Sequence, residues 1–311
     1  MSKKKVFIDG KTDTAWLRLE KRLSARGDLE IISLPDDLKK DLDARKEFLN
    51  EADIVFLCLP DAAAKGAIAM IDNLDTVVID TSSAHVTNPG WAYGFPELSS
   101  EFENNIKRSR RIALPGCHAG GFIALIYPLI KEGILPTDAQ LTAHSVMGCS
   151  GGGSAMIAEY QSKDRSPLLS APRQYALEQR HRHLPEMAKI TGLVNLPILC
   201  PYVSNFFSGM ELTVPLFKSQ LSRGGIDHIK AIYRETYNYP TVYFNEQTDE
   251  GGFASAAALS NKDSMQIEVH GNEDRIILVA RYDNLGKGTS GAAMECMNIK
   301  LGCEYTRSLV I

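Results

Sequence analysis

Cys117 lies in the segment Pro115-Gly116-Cys117-His118-Ala119-Gly120-Gly121-Phe122, between an apolar run and a stretch of helical character over 122–134. A cysteine where a helix starts has its thiolate favoured by the macrodipole and by backbone N–H groups that lack partners. The same donors can hold the oxyanion formed when sulfur attacks a carbonyl. A buried cysteine in a glycine-rich turn would show the same residues, so a base is needed to complete the case. His181-Arg182-His183-Leu184-Pro185-Glu186 offers one. A nucleophilic thiol needs a group to take its proton, and that group needs something to orient it. Glu186 follows His183 by three residues, so the two could meet on one helical turn. This favours His183 as the base and leaves His181 nearer the substrate; an exposed polar turn, or a metal site short of ligands, are the alternatives.

Two further glycine-rich stretches could handle anions. Gly148-Cys149-Ser150-Gly151-Gly152-Gly153-Ser154 offers many backbone donors to a phosphate, although a turn between domains would have the same composition. Cys149 is a weaker rival nucleophile, because nothing places it at a helix start. Asn284-Leu285-Gly286-Lys287-Gly288 leads into the last helical stretch and could approach a nicotinamide or its phosphates. His85, His144, His228 and His270 form no constellation and read as structural.

These residues need a frame. Short apolar runs over 5–9, 29–34, 54–59, 76–80 and 111–114 alternate with helical stretches over 14–26 and 36–52. Continuous apolar strands separated by helices predict a parallel sheet covered on both faces. Ligands of such sheets sit beyond the carboxyl ends of the strands, where Gly10, Pro60, Ser82 and Cys117 fall. After about residue 140 the strands over 140–147, 241–244, 264–270 and 275–283 are longer and amphipathic, which predicts a second, more antiparallel domain. The stretch 286–302 is helical again and could return to the first domain.

The chain has 311 residues, enough for two cored domains, and a formal net charge of −4, which gives no electrostatic reason for a nucleic acid or an anionic membrane as partner. No apolar run approaches the roughly 20 residues of a membrane helix. The basic start, Met1 to Lys5, leads into a strand rather than a signal peptide, so the cytoplasm is the expected location. Six cysteines without paired spacing predict neither disulfides nor a zinc site, and no metal is expected.

Taken together the motifs resemble N-acetyl-γ-glutamyl-phosphate reductase in its shorter form. The resemblance runs nearly end to end, through Phe7-Ile-Asp-Gly10, Phe56-Leu-Cys-Leu-Pro-Asp61, Trp91-Ala-Tyr-Gly-Phe-Pro-Glu-Leu98, Pro115-Gly-Cys117, Ser150-Gly-Gly-Gly153, Ala158-Glu-Tyr160, His181-Arg-His-Leu-Pro-Glu186 and Asn284-Leu-Gly-Lys-Gly288. Aspartate-semialdehyde dehydrogenase shares the chemical logic but not the His-x-His-x-Pro-Glu run.

The resemblance implies an α/β fold. A Rossmann-type doubly wound parallel sheet would span 1–116 and 285–311, and an α+β catalytic and oligomerisation domain with a mainly antiparallel sheet would span 117–284. It implies NADP-dependent reduction of N-acetylglutamyl phosphate to the semialdehyde, in arginine biosynthesis, by a homo-dimer or homo-tetramer. Cys117 would form a thioester, with His183, His181 and Glu186 completing the catalytic set. His118, Ser150, Gly151, Gly152 and Ser154 would face the small-molecule acyl phosphate. Gly10, Thr14, Ser33, Lys39, Pro60, Ser82, Asn284, Gly286, Lys287 and Gly288 would face the cofactor; Ser33, Lys39 and Lys40, after the second strand, could hold a 2′-phosphate.

The chain also departs from the family pattern. Where that pattern reads Gly-x-x-Gly-x-x-Gly, this chain has Gly10-Lys-Thr-Asp13-Thr-Ala-Trp16. Val86 stands for a common Arg, Leu114 for Asn, Gly120 for Ser or Thr, and Ser154 for a frequent Lys. These positions predict thioester chemistry with altered cofactor use or substrate. Acyl transfer or hydrolysis without a cofactor is the second enzymatic reading, and a non-catalytic partner on the same scaffold is the third.

Overall fold

The computed structural model describes residues 3–10, 14–38, 41–246 and 250–311; Asp13, Lys39 and Lys40 lie outside them. In chain order the first elements are β1 (Lys4–Asp9), α1 (Thr14–Ser24), β2 (Leu29–Ile32), α2 (Leu42–Glu51), β3 (Ile54–Leu57), α3 (Asp61–Met70), β4 (Val77–Asp80), β5 (Ala92–Tyr93), α4 (Ser100–Arg108) and β6 (Arg111–Ala113). Then come α5 (Cys117–Lys131), β7 (Thr142–Gly148), α6 (Gly153–Gln161), β8 (Arg173–Gln174), α7 (Leu184–Thr191), β9 (Ile198–Ser204) and β10 (Met210–Phe217). The last are α8 (Ile226–Thr236), β11 (Val242–Phe244), β12 (Met265–Gly271), β13 (Arg275–Tyr282) and α9 (Gly291–Leu301). Two compact units result: Met1–Pro96 with Ser100–Pro115 and Thr289–Leu309, and Glu97–Ser99 with Gly116–Gly288 and Val310–Ile311.

The first unit is a six-stranded sheet in the order β2-β1-β3-β4-β6-β5, with its paired strands parallel. Side chains alternate between its faces, as the pleat requires. Val6, Ile8, Ile54 and Phe56 meet Leu19 and Leu23 of α1, Ile106 of α4 and Ala292 to Met297 of α9. Phe7, Val55 and Leu57 meet Leu49 of α2 and Ala64 and Ala67 of α3. Both faces are covered, which is why the strands read as unbroken apolar runs.

Two helices differ from the sequence expectation. The stretch predicted as one helix over 36–52 has a short 3-10 turn at Asp36–Leu38, and the α-helix starts only at Leu42, where Asp41 accepts the backbone N–H groups of Asp43 and Ala44. Helix α3 is an element that the sequence expectation lacks. Pro60 is its N-cap and Asp61 its first acidic residue, well placed against the positive helix end.

The second unit is built on a seven-stranded mixed sheet, β11-β12-β13-β10-β7-β9-β8. Most neighbours are antiparallel, but β7 with β9 and β11 with β12 run parallel. Met210, Leu212, Val214 and Leu216 of β10 are buried, while Pro215 and Phe217 on the other side are exposed. Pro215 lies past the end of the β7 pairing, where its missing N–H leaves no gap in the ladder.

Helix α5 is apolar almost all round and buried along most of its length. Its Pro128 has no N–H for the Ala124 carbonyl four residues back. Tyr237, just past the end of α8, fills that vacancy with a 2.6 Å hydrogen bond to Ala124 O, and Tyr233 of α8 donates to Leu125 O. No helix among the described residues is long and apolar enough to cross a membrane.

Candidate active site

Helix α5 begins at Cys117 itself, five residues before the helical stretch that the sequence suggests, with Gly116 as N-cap in extended conformation. Gly116 is the hinge of the arrangement. A β-carbon there would lie 2.2 Å from His183 Nε2, so the imidazole packs where any other residue would put its side chain. Its N–H donates to Glu186 Oε1 at 3.0 Å. The segment 181–186 therefore clasps the residue next to the nucleophile by two contacts. Glu186 was expected to orient the His183 ring; the structure puts its Oε1 on the Gly116 peptide instead.

Three imidazoles gather here. Ring centroids of His181 and His183 are 4.6 Å apart, and His118 lies 5.3 Å from His181 and 5.7 Å from His183. His118 does not offer a nitrogen to phosphate as expected. Its Nδ1 meets Ser145 Oγ at 2.9 Å and its Nε2 meets Tyr175 Oη at 2.6 Å, so both ring nitrogens are engaged. His181 Nδ1 accepts the His183 backbone N–H at 3.2 Å, which leaves its proton on Nε2 when the ring is neutral. His183 is buried, and its Nδ1 has no hydrogen-bond partner.

Burial sets the protonation states. It lowers His118 to about 3 and His181 to about 4, and drives His183 well below the ordinary range; the Arg182 charge pushes each the same way. All three are neutral at pH 7. Crowding around the half-buried Cys117 raises its thiol to about 11 and Glu186 adds to the rise, while Arg182 and the His118 N–H oppose it. The helix start alone does not produce a thiolate here, so the proton must leave as the sulfur attacks.

Tyr282, the last residue of β13, is fully buried and donates to the Cys117 carbonyl at 2.6 Å. Its hydroxyl sits 2.4 Å from where a Gly121 β-carbon would be, inside the first turn of α5. The backbone of Gly288 packs on Cys117 as well; a β-carbon there would be 3.4 Å from that of Cys117. Tyr282, Tyr175 and Ser145 carried no sequence signal. Each is an ordinary residue of a strand or turn until the fold closes. Arg182 stood inside the histidine motif without a role.

The remaining predicted residues divide. Gly151, Gly152 and Ser154 are exposed at the 3-10 turn Cys149–Gly152 and the start of α6. Ser150 is buried, and its hydroxyl accepts from Asn284 Nδ2 at 3.0 Å while Asn284 Oδ1 takes the Gly209 N–H at 3.0 Å. Lys287 is buried on Glu97 Oε1 at 2.5 Å, and Gly286 packs against the Lys262 carbonyl. Asn284 and Lys287, expected to face the cofactor, thus serve the interior of the second unit. Cys149 is buried, and burial raises its thiol.

At the carboxyl ends of the parallel strands, Gly10 has φ +104°, and a β-carbon on it would lie 2.2 Å from the Cys58 carbonyl. Only glycine lets β1 and β3 close so tightly where the strand order reverses. Thr14 opens α1 immediately beyond, and the first turn of that helix has no acid. Pro60 and Ser33 are exposed; Ser82 is buried, its hydroxyl on Asp80 at 2.8 Å. Trp16 packs against the core under the sheet, and Leu114 and Val86 are buried.

Two sequence models of the semialdehyde dehydrogenase family match the chain, the NAD binding domain over residues 24–106 and the dimerisation domain over 117–284. Proteins named N-acetyl-gamma-glutamyl-phosphate reductase from Brucella ovis and Brucella canis are each 40% identical over 308 residues, covering 96% of this chain and 99% of theirs. The chain belongs to the N-acetyl-γ-glutamyl-phosphate reductase family. Among solved structures, aspartate semialdehyde dehydrogenase II from Vibrio cholerae matches with TM-score 0.72 at 16% identity, covering 97% of this chain and 99% of that one. The aspartate semialdehyde dehydrogenase with NADP from Candida albicans gives 0.68 at 17% identity, with 96% and 98% covered. They confirm the fold.

Membership makes the chain an oxidoreductase of this family, with a nicotinamide cofactor. The residues at the strand ends fit such a group. Gly10 keeps the close approach of β1 and β3, the first turn of α1 from Thr14 carries no acid, and the Trp16 indole packs on the core; Asp13 lies outside the described residues.

Proposed function

We propose that the chain reduces N-acetylglutamyl 5-phosphate to N-acetylglutamate semialdehyde with NADPH, through a thioester on Cys117, as a cytoplasmic homo-oligomer serving arginine biosynthesis. The observation that carries this reading is the clasp of His183 and Glu186 on Gly116, which ties a base to the turn that bears the thiol.

Cys117 Sγ attacks the acyl carbon, the S–C bond forms, and the C–O bond to phosphate breaks. The thiol proton passes to an imidazole. His183 is the better acceptor, because its Nε2 packs on Gly116 next to Cys117, whereas the Nδ1 of His181 already holds a backbone N–H. His181 keeps its Nε2–H as a donor for the carbonyl oxygen, beside the backbone N–H groups at the start of α5. Gly151, Gly152 and Ser154 offer exposed donors to the phosphate. Gly10, the start of α1 at Thr14, Ser33 and Pro60 would hold the nicotinamide dinucleotide, which supplies the hydride that reduces the thioester. The exposed Ile198, Phe217 and Ile277 on the helix-free side of the second sheet support self-association through that face, as a dimer or tetramer.

The test runs in reverse. Purified chain, N-acetylglutamate semialdehyde, phosphate and NADP should give reduced cofactor by absorbance, with NAD far slower. Loss of the signal in Cys117→Ala supports the thioester. Equal turnover by that variant would refute it.

A further inference from the structure

Arg182 stands between the two histidines, on a turn fixed at both sides by the His183-to-His181 hydrogen bond and by the packing of His183 on Gly116. Its side chain is exposed. Three other cations of the same unit are paired: Arg173 with Glu159, Arg281 with Glu268 and Glu250, and Lys287 with Glu97. Among the described residues no acid or carbonyl pairs with Arg182. A planar fork of donors left open beside a nucleophile and three neutral imidazoles matches a phosphate or carboxylate geometrically, which an ammonium would not.

We infer that Arg182 binds the phosphoryl group of the substrate, bidentately, and holds it as it leaves. This rests on the acyl-phosphate reading above and names the residue that recognises the anion. During attack the sulfur bonds to the acyl carbon, the phosphate departs with the C–O electron pair, and the thiol proton goes to His183. Arg182 exchanges no proton; it balances the charge that builds on the leaving oxygen and on the sulfur. Its field already reaches the whole cluster, since it favours the anionic form of Cys117 and Tyr175 and the neutral form of His118, His181 and His183.

The test uses Cys117 alkylation by iodoacetamide, followed by mass spectrometry on the full chain, with inorganic phosphate as the probe. Phosphate should protect the wild-type thiol, and Arg182→Ala should need about 10- to 100-fold more phosphate for equal protection. Arg182→Lys, which keeps the charge but loses the fork, should fall between. The KM for the acyl phosphate should rise by a similar factor in Arg182→Ala, with kcat falling less, and the melting temperature should stay put because the side chain is exposed. Phosphate protection that is the same in wild type and Arg182→Ala, or absent from both, overturns the proposal. Alkylation needs no reduction, so an inactive enzyme with Arg182-dependent protection would keep this inference and lose the reductase reading. An active reductase without that dependence would do the opposite.

Discussion

At the carboxyl ends of β1, β3 and β4 each acid has its partner. Asp9 holds Arg45 by contacts of 2.7 to 3.2 Å, Asp61 takes the hydroxyl and N–H of Ser83, and Asp80 takes Ser82 and His85, whose ring stacks on Trp91 at 4.2 Å. Around Cys117, in the second unit, groups are left open: Nδ1 of the buried His183, and the guanidinium of Arg182. A buried donor or acceptor without a partner costs about 1–3 kcal/mol. The satisfied acids at those strand ends act as scaffold, and the open groups flanking the Cys117 turn are available for chemistry.

The sharpest way to break this contrast is to remove a group from each side. Cys117→Ala should lower the reductase rate by about 10⁴-fold or more with a melting temperature near wild type, and His183→Ala should lower the rate by about 10²- to 10⁴-fold. Asp80→Ala should do the reverse. It strands the buried His85 and should cost about 3 kcal/mol in a denaturant titration, with kcat within a few-fold of wild type. If Asp80→Ala lost activity while keeping its stability, the division into scaffold and chemistry would be wrong.

The pH dependence sharpens the same contrast. His118 titrates at about 3 in the folded chain against an ordinary 6.5, so between those values the unfolded chain binds a proton that the folded chain refuses. Stability from this group is complete above about 6.5 and falls as the pH drops, by about 1.4 kcal/mol per pH unit. His118→Gln should flatten the slope of unfolding free energy between pH 6 and about 4 in chemical denaturation. With His181 at about 4, kcat/KM should show no acid limb near 6.5. Alkylation of Cys117 in the free protein should still be climbing above pH 9, since its thiol lies at about 11. A plateau by pH 8 would mean that the thiolate forms before substrate arrives.

How much of this the sequence disclosed depends on whether a signal is local. Unbroken apolar runs announced β1, β3 and β4, because burial on both faces leaves a trace in each strand. Cys117 and the 181–186 segment were visible as residue types at telling spacings. Their join was not, because Gly116 and Glu186 are 70 residues apart and meet only when the fold closes. His85 read as structural for want of a neighbour, yet Asp80 lies just five residues upstream; the turn through Ser82 brings them together. Lys287 looked like a phosphate ligand because its buried partner, Glu97, is 190 residues distant. Tyr282→Phe tests one such hidden join. The ring would stay, Cys117 O would lose its donor, and kcat should fall about tenfold with a stability loss near 1 kcal/mol in thermal melts.

Glu186→Gln gives the smallest effect and separates two roles for one side chain. If Glu186 works through the imidazole, by stabilising a cation on it, neutralising the carboxylate should cost as much as losing the pair. If it works by accepting the Gly116 N–H at 3.0 Å, the amide carbonyl of glutamine can take over, and kcat should stay within about threefold. The electrostatics add a sign. Glu186 raises the Cys117 thiol, so removing its charge should move the alkylation midpoint down, not up. Glu186→Ala, which has no acceptor, should free the Gly116 turn and lower kcat well beyond the glutamine variant. A glutamine variant as crippled as the alanine one would return Glu186 to the imidazole and take it away from the peptide.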